Sequence, residues 1–385
     1  MQIELPIIAA VFVIAMAVIG YANKLFSLVE NLARLFGHKS APVTKRDFEQ
    51  LVEQFGGRFD RLAEYLPDGL AQDKDPIFHA AFEEGQRLQE EGDQAQDAHK
   101  HQEAIDRFTR ALRLAKDDSQ RAALHNLRGN SYVSISQYDN AKADYEETLK
   151  LSEGIPERQN ALRARAAAVG NLGNVYRHRG DLQKAEERYR QALETDRGIG
   201  NRPGQATHLG NLGIIYAQRA ELDKAAEHFE GALAADREIG NRPGEARHLN
   251  NLGLVYADCG DLDKAEEHFQ QALKIDREIG NRLGEASALG NLGSVYYQRD
   301  DLEKAEEHLK QALEIAREIG DRLGEANRLG NLGLLYRYRG DTKSAREYLQ
   351  QAQALYLEIG AGGEGLENVR RWLEELERRQ QERGK

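Results

Sequence analysis

The stretch "GNLGNVYRHRG", Gly170 to Gly180, decides how this chain is to be read. Taken alone, its glycines and asparagines resemble a loop whose backbone N–H groups gather around a phosphate. It does not stand alone. "GNLGIIY" begins at 210, "NNLGLVY" at 250, "GNLGSVY" at 290 and "GNLGLLY" at 330, a period of 40 residues. A phosphate loop occurs once per domain, after a strand, and nothing here matches G-x-x-x-x-G-K-[ST]. Five copies at a fixed spacing describe a solenoid, in which each unit buries its apolar face only by stacking on its neighbours.

Around Gly173, Val169, Leu172 and Tyr176 share one helical face, and Leu182, Ala185, Tyr189, Ala192 and Leu193 share another. The break at Gly180-Asp181 separates them. Asp181, Asp261, Asp301 and Asp341 are placed as N-caps of the second helices. Gly200, Gly240, Gly280, Gly320 and Gly360 close those helices as left-handed C′ residues. Each unit is therefore helix, turn, helix, turn.

With this pattern the chain resembles the tetratricopeptide repeat (TPR) family. Leu212-Gly213, Tyr216, Ala225, Phe229 and Ala232 carry the small–large signature in one unit, and Leu252-Gly253, Tyr256, Ala265, Phe269 and Ala272 in the next. Gly213 admits a close approach of two helices that a side chain would wedge apart. The family's usual unit is about 34 residues; here "DREIGNRPGEA"-like connections lengthen it, as in kinesin light chains, Pins-like adaptors and bacterial TPR proteins. The resemblance implies an all-α, right-handed TPR solenoid. Seven units are expected over 78–360, the second weakened where Leu127 and Arg128 depart from the Leu-Gly junction before Gly129, Tyr132, Ala141 and Tyr145. In the first unit Ala104, Phe108, Ala111 and Leu112 mark the second helix, separated by the polar insertion "EGDQAQDAHK" from a partner near 78–90. Leu366, Val369, Trp372, Leu373 and Leu376 give residues 361–385 the single apolar face of a terminal capping helix.

Of 385 residues, 64 are acidic and 53 basic, a net charge of −11, which provides no electrostatic footprint for nucleic acid. The single cysteine, Cys259, excludes an intramolecular disulfide framework and a cysteine zinc cage, and reads as a small buried residue. Leu5 to Ala22 contains no charge, and its 18 residues span roughly 27 Å as a helix, enough for a bilayer core. "MQIE" lacks the basic start of a signal peptide, and Ala15-Met16-Ala17 lies inside the apolar run. Residues 1–22 are thus expected to be a single transmembrane anchor. Lys24, Arg34 and Lys39 follow it and none precedes it, so the N-terminus is expected outside and the array in the cytoplasm. Residues 23–77 read as a juxtamembrane helical segment and linker. Leu25, Phe26, Val29, Leu32, Leu35 and Phe36 form one stripe there, and Phe48, Val52, Phe55, Phe59, Leu62 and Leu66 a short seam.

Candidate function rests on the first helix of each unit, on the face away from its core. Asn171, Asn174 and His178 lie there with Ala167; Asn211 and Gln218 with Thr207 and Ile214; Arg247 and Asn251 with Leu254 and Asp258; Asn291 and Gln298 with Ser287 and Ser294; Asn331 and Tyr338 with Asn327 and Leu334. The TPR resemblance puts first helices on the concave surface, with Asn171, Asn211, Asn251, Asn291 and Asn331 in a row. An amide both donates and accepts, so such a row grips an extended segment by its main chain, as rows do in the O-GlcNAc transferase and Pins-like superhelices. The same amides can instead bond to the adjacent repeat and set the stacking; both readings stand. The lining is mostly neutral, which disfavours a cationic clamp for a terminal carboxylate. His228, His268 and His308 recur one repeat apart, too far from one another to share a metal ion. No motif of metal, nucleophilic or phosphoryl chemistry is present, so neither catalysis nor a cofactor is expected. The expected function is a membrane-anchored scaffold recruiting a protein through an extended segment in its groove. The alternatives are a periplasm-facing assembly or chaperone-like factor and a structural component oligomerised through residues 1–70.

Overall fold

The structure, a computed structural model, describes residues 76–95 and 98–383. The expected anchor, the stripe at 25–36 and the seam at 48–66 lie outside the described residues. No helix among those described is long and apolar enough to cross a membrane. All regular structure among them is helical, and the chain divides into two compact units, one ending at Thr195 and the other starting at Asp196.

In the first unit, α1 (Pro76–Ala95), α2 (Ala98–Leu114), α3 (Asp118–Ser134), α4 (Tyr138–Ser152) and α5 (Arg158–His178) are followed by α6 (Leu182–Gly198), which runs into the boundary. The polar stretch at 91–100 does less to separate α1 from α2 than its composition implies, because α1 continues to Ala95 and α2 resumes at Ala98. Phe78, Phe82, Ala104, Phe108, Ala111 and Leu124 form one core cluster; Ala141, Tyr145, Ala168, Leu172 and Val175 form another.

Arg128 departs from the Leu-Gly junction for a structural reason. It occupies the place that Leu172 holds before Gly173, and the buried Asp144 answers its charge. Arg128 Nη2 and Nε donate to the two Asp144 oxygens at 2.6 and 2.8 Å, Nη1 donates to Thr109 Oγ1 at 3.0 Å, and His125 Nδ1 lies 2.7 Å from Asp144. Burial pushes the Asp144 carboxyl up, but Arg128 and His125 outweigh it and hold it low.

The second unit contains α7 (Arg202–Gln218), α8 (Leu222–Glu238), α9 (Arg242–Asp258), α10 (Leu262–Ile279), α11 (Arg282–Gln298), α12 (Leu302–Ile319), α13 (Arg322–Tyr338), α14 (Thr342–Glu358) and α15 (Glu364–Arg383). Caps fall where the sequence puts them. The carboxylates of Asp261, Asp301 and Asp341 accept from the N–H of Lys264, Lys304 and Ser344, as Asp181 does from Lys184 in the first unit. Gly280 ends α10 at φ 69, a left-handed conformation that costs glycine nothing. At the turn inside each hairpin, Gly180, Gly260 and Gly340 also take positive φ, but Ser136, Ala220 and Asp300 occupy the same turn with φ of 59, 56 and 62.

Within each hairpin the two helices meet at a glycine. A Cβ on Gly253 would stand 2.6 Å from the Phe269 ring, and one on Gly213 2.7 Å from Phe229. Successive first helices (α7, α9, α11, α13 and then α15) also pack on one another, whereas the second helices lie between first helices. The first helices therefore form the tighter row. Leu366, Val369 and Leu376 of α15 are buried on the last hairpin, with Trp372 and Leu373 against the same cluster.

Two sets of charges run along the edges of this unit; the first closes each hairpin on itself and, through Glu245 and Glu285, ties it to the hairpin before, and the second joins neighbouring hairpins. Along one edge Arg202 reaches Glu238 at 3.1 Å, Arg242 reaches Glu278 at 2.6 Å, Arg322 reaches Glu358 at 2.8 Å, and Arg282 pairs with Glu318. Glu245 and Glu285 sit between two arginines each, Arg237 with Arg242 and Arg277 with Arg282. At the other edge Arg299 pairs with Glu266 and Asp263, and Arg339 with Glu306 and Glu303. Cys259 holds the corresponding position just after α9, and it is exposed, correcting the expectation of a buried residue. The site calls for an arginine that spans to the preceding hairpin, and here α8 presents Ala226 where α10 and α12 present Glu266 and Glu306. Of the two carboxylates that Arg299 reaches, only the counterpart of Asp263, Asp223, remains on α8, and the cysteine in the arginine's place is left at the surface.

Three outcomes follow from these contacts. Asp144→Ala strands the Arg128 charge and is expected to cost about 3–5 kcal/mol, whereas Arg128→Leu with Asp144→Leu returns close to the parent. Hydrogen exchange of the α3 and α4 amides in urea reads both, and equal losses in the two variants defeat the account. Ala220→Gly relieves a left-handed alanine and should stabilise by roughly 1 kcal/mol in urea unfolding; no gain would mean the turn is unstrained. Glu306 supplies the third. Partial burial pushes its carboxyl up, but hydrogen bonds from Lys310, Tyr336 and Arg339 prevail and hold it at about 2, below the ordinary 4.5. A depressed folded value means a contribution complete above pH 4.5 and lost as the pH falls towards 2. The stability difference between the parent and Glu306→Gln should therefore shrink across that window in acid titrations of urea midpoints.

Candidate protein-binding face

The expected site residues all lie on first helices, and their surroundings divide them into two groups. In α5 and α11 the amides are used inside the fold. Asn171 Nδ2 donates to Asn126 and Asn130 of α3 at 3.0 and 3.1 Å, and Asn174 Nδ2 donates to Asn171 at 3.3 Å. Asn174 also accepts from the buried Tyr189 hydroxyl at 2.7 Å, and Asn130 from Tyr145 at 2.8 Å. In the second unit Asn291 Nδ2 donates to Asn250 of α9 at 2.9 Å. At these positions the carboxamide spans successive first helices, which is the stacking role.

Asn211, Asn251 and Asn331 stand at the same register, half-buried. Their amides make no side-chain hydrogen bond among the described residues, which leaves donors and acceptors for another chain. In α9, Arg247 and Asp258 are exposed to either side of Asn251, and Leu254 stands 44% exposed one turn away. Gln218 and Gln298 are exposed at the C-terminal ends of α7 and α11. In α13, Tyr338 is 60% exposed and meets Tyr297 of α11 edge-on with ring centroids 5.6 Å apart. Hydrogen bonding to Asp300, then its charge, raises the Tyr338 hydroxyl, which stays protonated at neutral pH. His178 belongs to the first unit, where its ring stacks on Tyr138 at 5.5 Å; desolvation and then the Arg177 charge lower its imidazole, favouring the neutral ring.

The face on the second unit thus combines amides at Asn251 and Asn331 that no other side chain engages with apolar surface at Leu254 and Tyr338. Tyr297 was missed by reading one face of an ideal helix, since its step from Asn291 falls off that face. The signal available was its aromatic character at a position where other units have Ala217 and Ala257.

The recurrent histidines have a local use. His228, His268 and His308 each place Nδ1 2.8 Å from the carbonyl oxygen of the lysine one turn earlier. Their rings lie against Tyr216, Tyr256 and Tyr296 at 4.9, 5.1 and 4.9 Å. Lys224, Lys264 and Lys304 approach the same tyrosine rings at 5.3, 4.9 and 5.1 Å, so each of these three hairpins carries a histidine–tyrosine–lysine stack.

The tetratricopeptide repeat profile matches residues 163–238, 205–278, 244–318 and 284–358, and a second profile of the same description matches 122–154. Among solved structures, BtubC (BKLC) from P. vanneervenii is 22% identical, with 60% of this chain and 94% of that one covered and a TM-score of 0.52. The apo form of RapI is 16% identical over 74% of this chain and 99% of that one, with a TM-score of 0.56. A Rap protein complexed with Competence and Sporulation Factor is 15% identical over 88% of this chain and 97% of that one, with a TM-score of 0.55. At such identities these likenesses speak for the fold alone. The repeat matches cover more than half of the sequence, and the chain belongs to the tetratricopeptide repeat family.

Proposed function

We propose that this protein is a non-catalytic scaffold that binds an extended protein segment along the first helices of its second unit and holds it at a membrane. The observation that carries the reading is the row in α7, α9 and α13, where Asn211, Asn251 and Asn331 keep their amides free. Leu254 and Tyr338 offer apolar surface on the same helices. An amide row recognises main chain whatever the side chains, and exposed leucine and tyrosine add apolar contact that favours particular sequences. A repeat fold suits this use, since a segment laid across several first helices gains contacts from each. The structurally similar Rap protein is complexed with Competence and Sporulation Factor, a precedent for a ligand on this kind of fold.

The uncharged run Leu5–Ala22, with basic residues only after it, supports a single-pass anchor with the repeats in the cytoplasm. Tethering confines the bound segment to the membrane surface and raises its effective concentration there.

Replacing Asn211, Asn251 and Asn331 together by alanine should weaken a bound segment by roughly 1 kcal/mol per lost hydrogen bond, a drop of two orders of magnitude. Asn291→Ala, at an amide already bonded to Asn250, should lower stability instead. Crosslinking in membranes identifies the segment and fluorescence anisotropy measures the change. Unaltered affinity in the triple variant, with its helix content intact, would sink the amide-row reading.

A further inference from the structure

Each hairpin junction in the second unit has a pair of facing positions, the first near the end of a second helix and the other in the following first helix. Positions 196, 236, 276 and 316 hold Asp, Asp, Asp and Ala, and positions 208, 248, 288 and 328 hold His, His, Ala and Arg. Two junctions are matched. His208 Nε2 lies 3.2 Å from Asp196, and His248 Nε2 lies 3.3 Å from Asp236, with all four side chains buried. At the third, Asp276 faces Ala288 and is held by Asn281 Nδ2 at 2.7 Å. Burial then raises its carboxyl, so proton uptake relieves part of the cost there.

The fourth junction is the reverse. Arg328 occupies the cationic position and Ala316 has replaced the carboxylate. An arginine cannot shed its charge as an aspartate can. Among the described residues no carboxylate lies in ion-pair range of Arg328. Its Nε is buried with no hydrogen-bond partner, and Nη2 donates one long bond of 3.3 Å to the Ala286 carbonyl of α11. The guanidinium lies against the α11 backbone because Gly290 has no side chain; a Cβ there would come within 2.4 Å of Arg328 Cζ. Asp321 and the Tyr356 hydroxyl are already engaged, the first as the cap that accepts from Gly324 N–H, the second by donating to Asn327 at 2.5 Å. The other arginines of this unit's junction edges, from Arg237 to Arg339, have a glutamate each.

We propose that Arg328 is the cationic half of a carboxylate-binding site between α11 and α13, filled by a ligand in place of the aspartate that Ala316 has displaced. Asn291 follows Gly290 on α11 and Asn331 lies one turn beyond Arg328 on α13, so the site adjoins the amide row. A planar guanidinium with unpaired N–H groups suits the two oxygens of a carboxylate, and its half-buried setting strengthens the pair relative to water. The ligand is a free small carboxylate or an acidic side chain of a bound segment; the chemistry is the same.

The test uses the full-length chain and reads urea unfolding in acetate against chloride of equal ionic strength. Acetate at ten times its dissociation constant should shift the unfolding equilibrium of the parent about elevenfold. Arg328→Met should lose that response. Ala316→Asp, which restores an internal carboxylate, should be more stable than the parent in chloride and equally unresponsive to acetate. It also keeps the test open if Arg328→Met fails to fold. An acetylated, amidated Ala-Ser pentapeptide with one Asp, compared with its Asn counterpart, separates the sources. A response at lower concentration than acetate identifies a segment, and an equal response a free carboxylate. The site is overturned if acetate acts no more on the parent than on Arg328→Met, or if Ala316→Asp still responds as the parent does. Because acetate needs no segment, this result stands apart from the amide-row measurement.

Discussion

The contact on which the rest of the structure depends is the approach of a glycine in each first helix to a large side chain in its partner. Gly129 faces Tyr145, Gly173 faces Tyr189, Gly213 faces Phe229 and Gly253 faces Phe269, each so close that a Cβ would fall inside 2.8 Å. In the last two hairpins Leu309 and Leu349 take the aromatic place against Gly293 and Gly333. The spacing of the two helices is set by this packing. Everything that recurs at the repeat period, from the aspartate caps to the arginine–glutamate ties, presupposes it. A glycine in mid-helix costs up to about 1 kcal/mol against alanine, and the buried ring it admits more than offsets that.

Variation between hairpins is written in charge rather than in shape. The core positions keep alanine, leucine and one large residue, while the junctions exchange His–Asp, Ala–Asp and Ala–Arg pairings without altering the helices. Arg128 shows what it takes to put a cation into a leucine's place: a buried aspartate, a threonine hydroxyl and a histidine all turn towards it. Arg328 has no comparable escort. Cys259 marks the opposite change, where an edge tie disappears from both helices at once, at Ala226 and at Cys259. A scaffold whose spacing comes from packing tolerates such edits, because each touches only its nearest neighbours.

How much of this was legible beforehand depends on whether a feature is local. The period, the two helices per unit, the caps at Asp261, Asp301 and Asp341, and the left-handed glycines were readable because each depends on a few consecutive residues. The face carrying the amide row was readable for the same reason, as helical geometry alone orders Asn211, Asn251 and Asn331 on it. What each amide does was not. Asn291 is bonded to Asn250 while Asn251 is not so engaged, a difference that turns on Gly210, Asn250, Gly290 and Gly330 occupying one register position in successive repeats.

By itself, then, the sequence determined that the described chain is a run of helical hairpins, where the helices of the regular 40-residue repeats start and stop, and which side of each is apolar. Those are consequences of backbone geometry and of water's rejection of apolar side chains, and both act within a turn or two. Only the tertiary structure decided which polar groups are paired. Partners such as Arg242 and Glu278, His248 and Asp236, or Arg128 and Asp144 lie between 12 and 36 residues apart and meet only once the helices have packed, the first and last within a hairpin and the middle pair between hairpins. Whether a charge or an amide is satisfied, and so whether it remains available to another molecule, is settled by that packing.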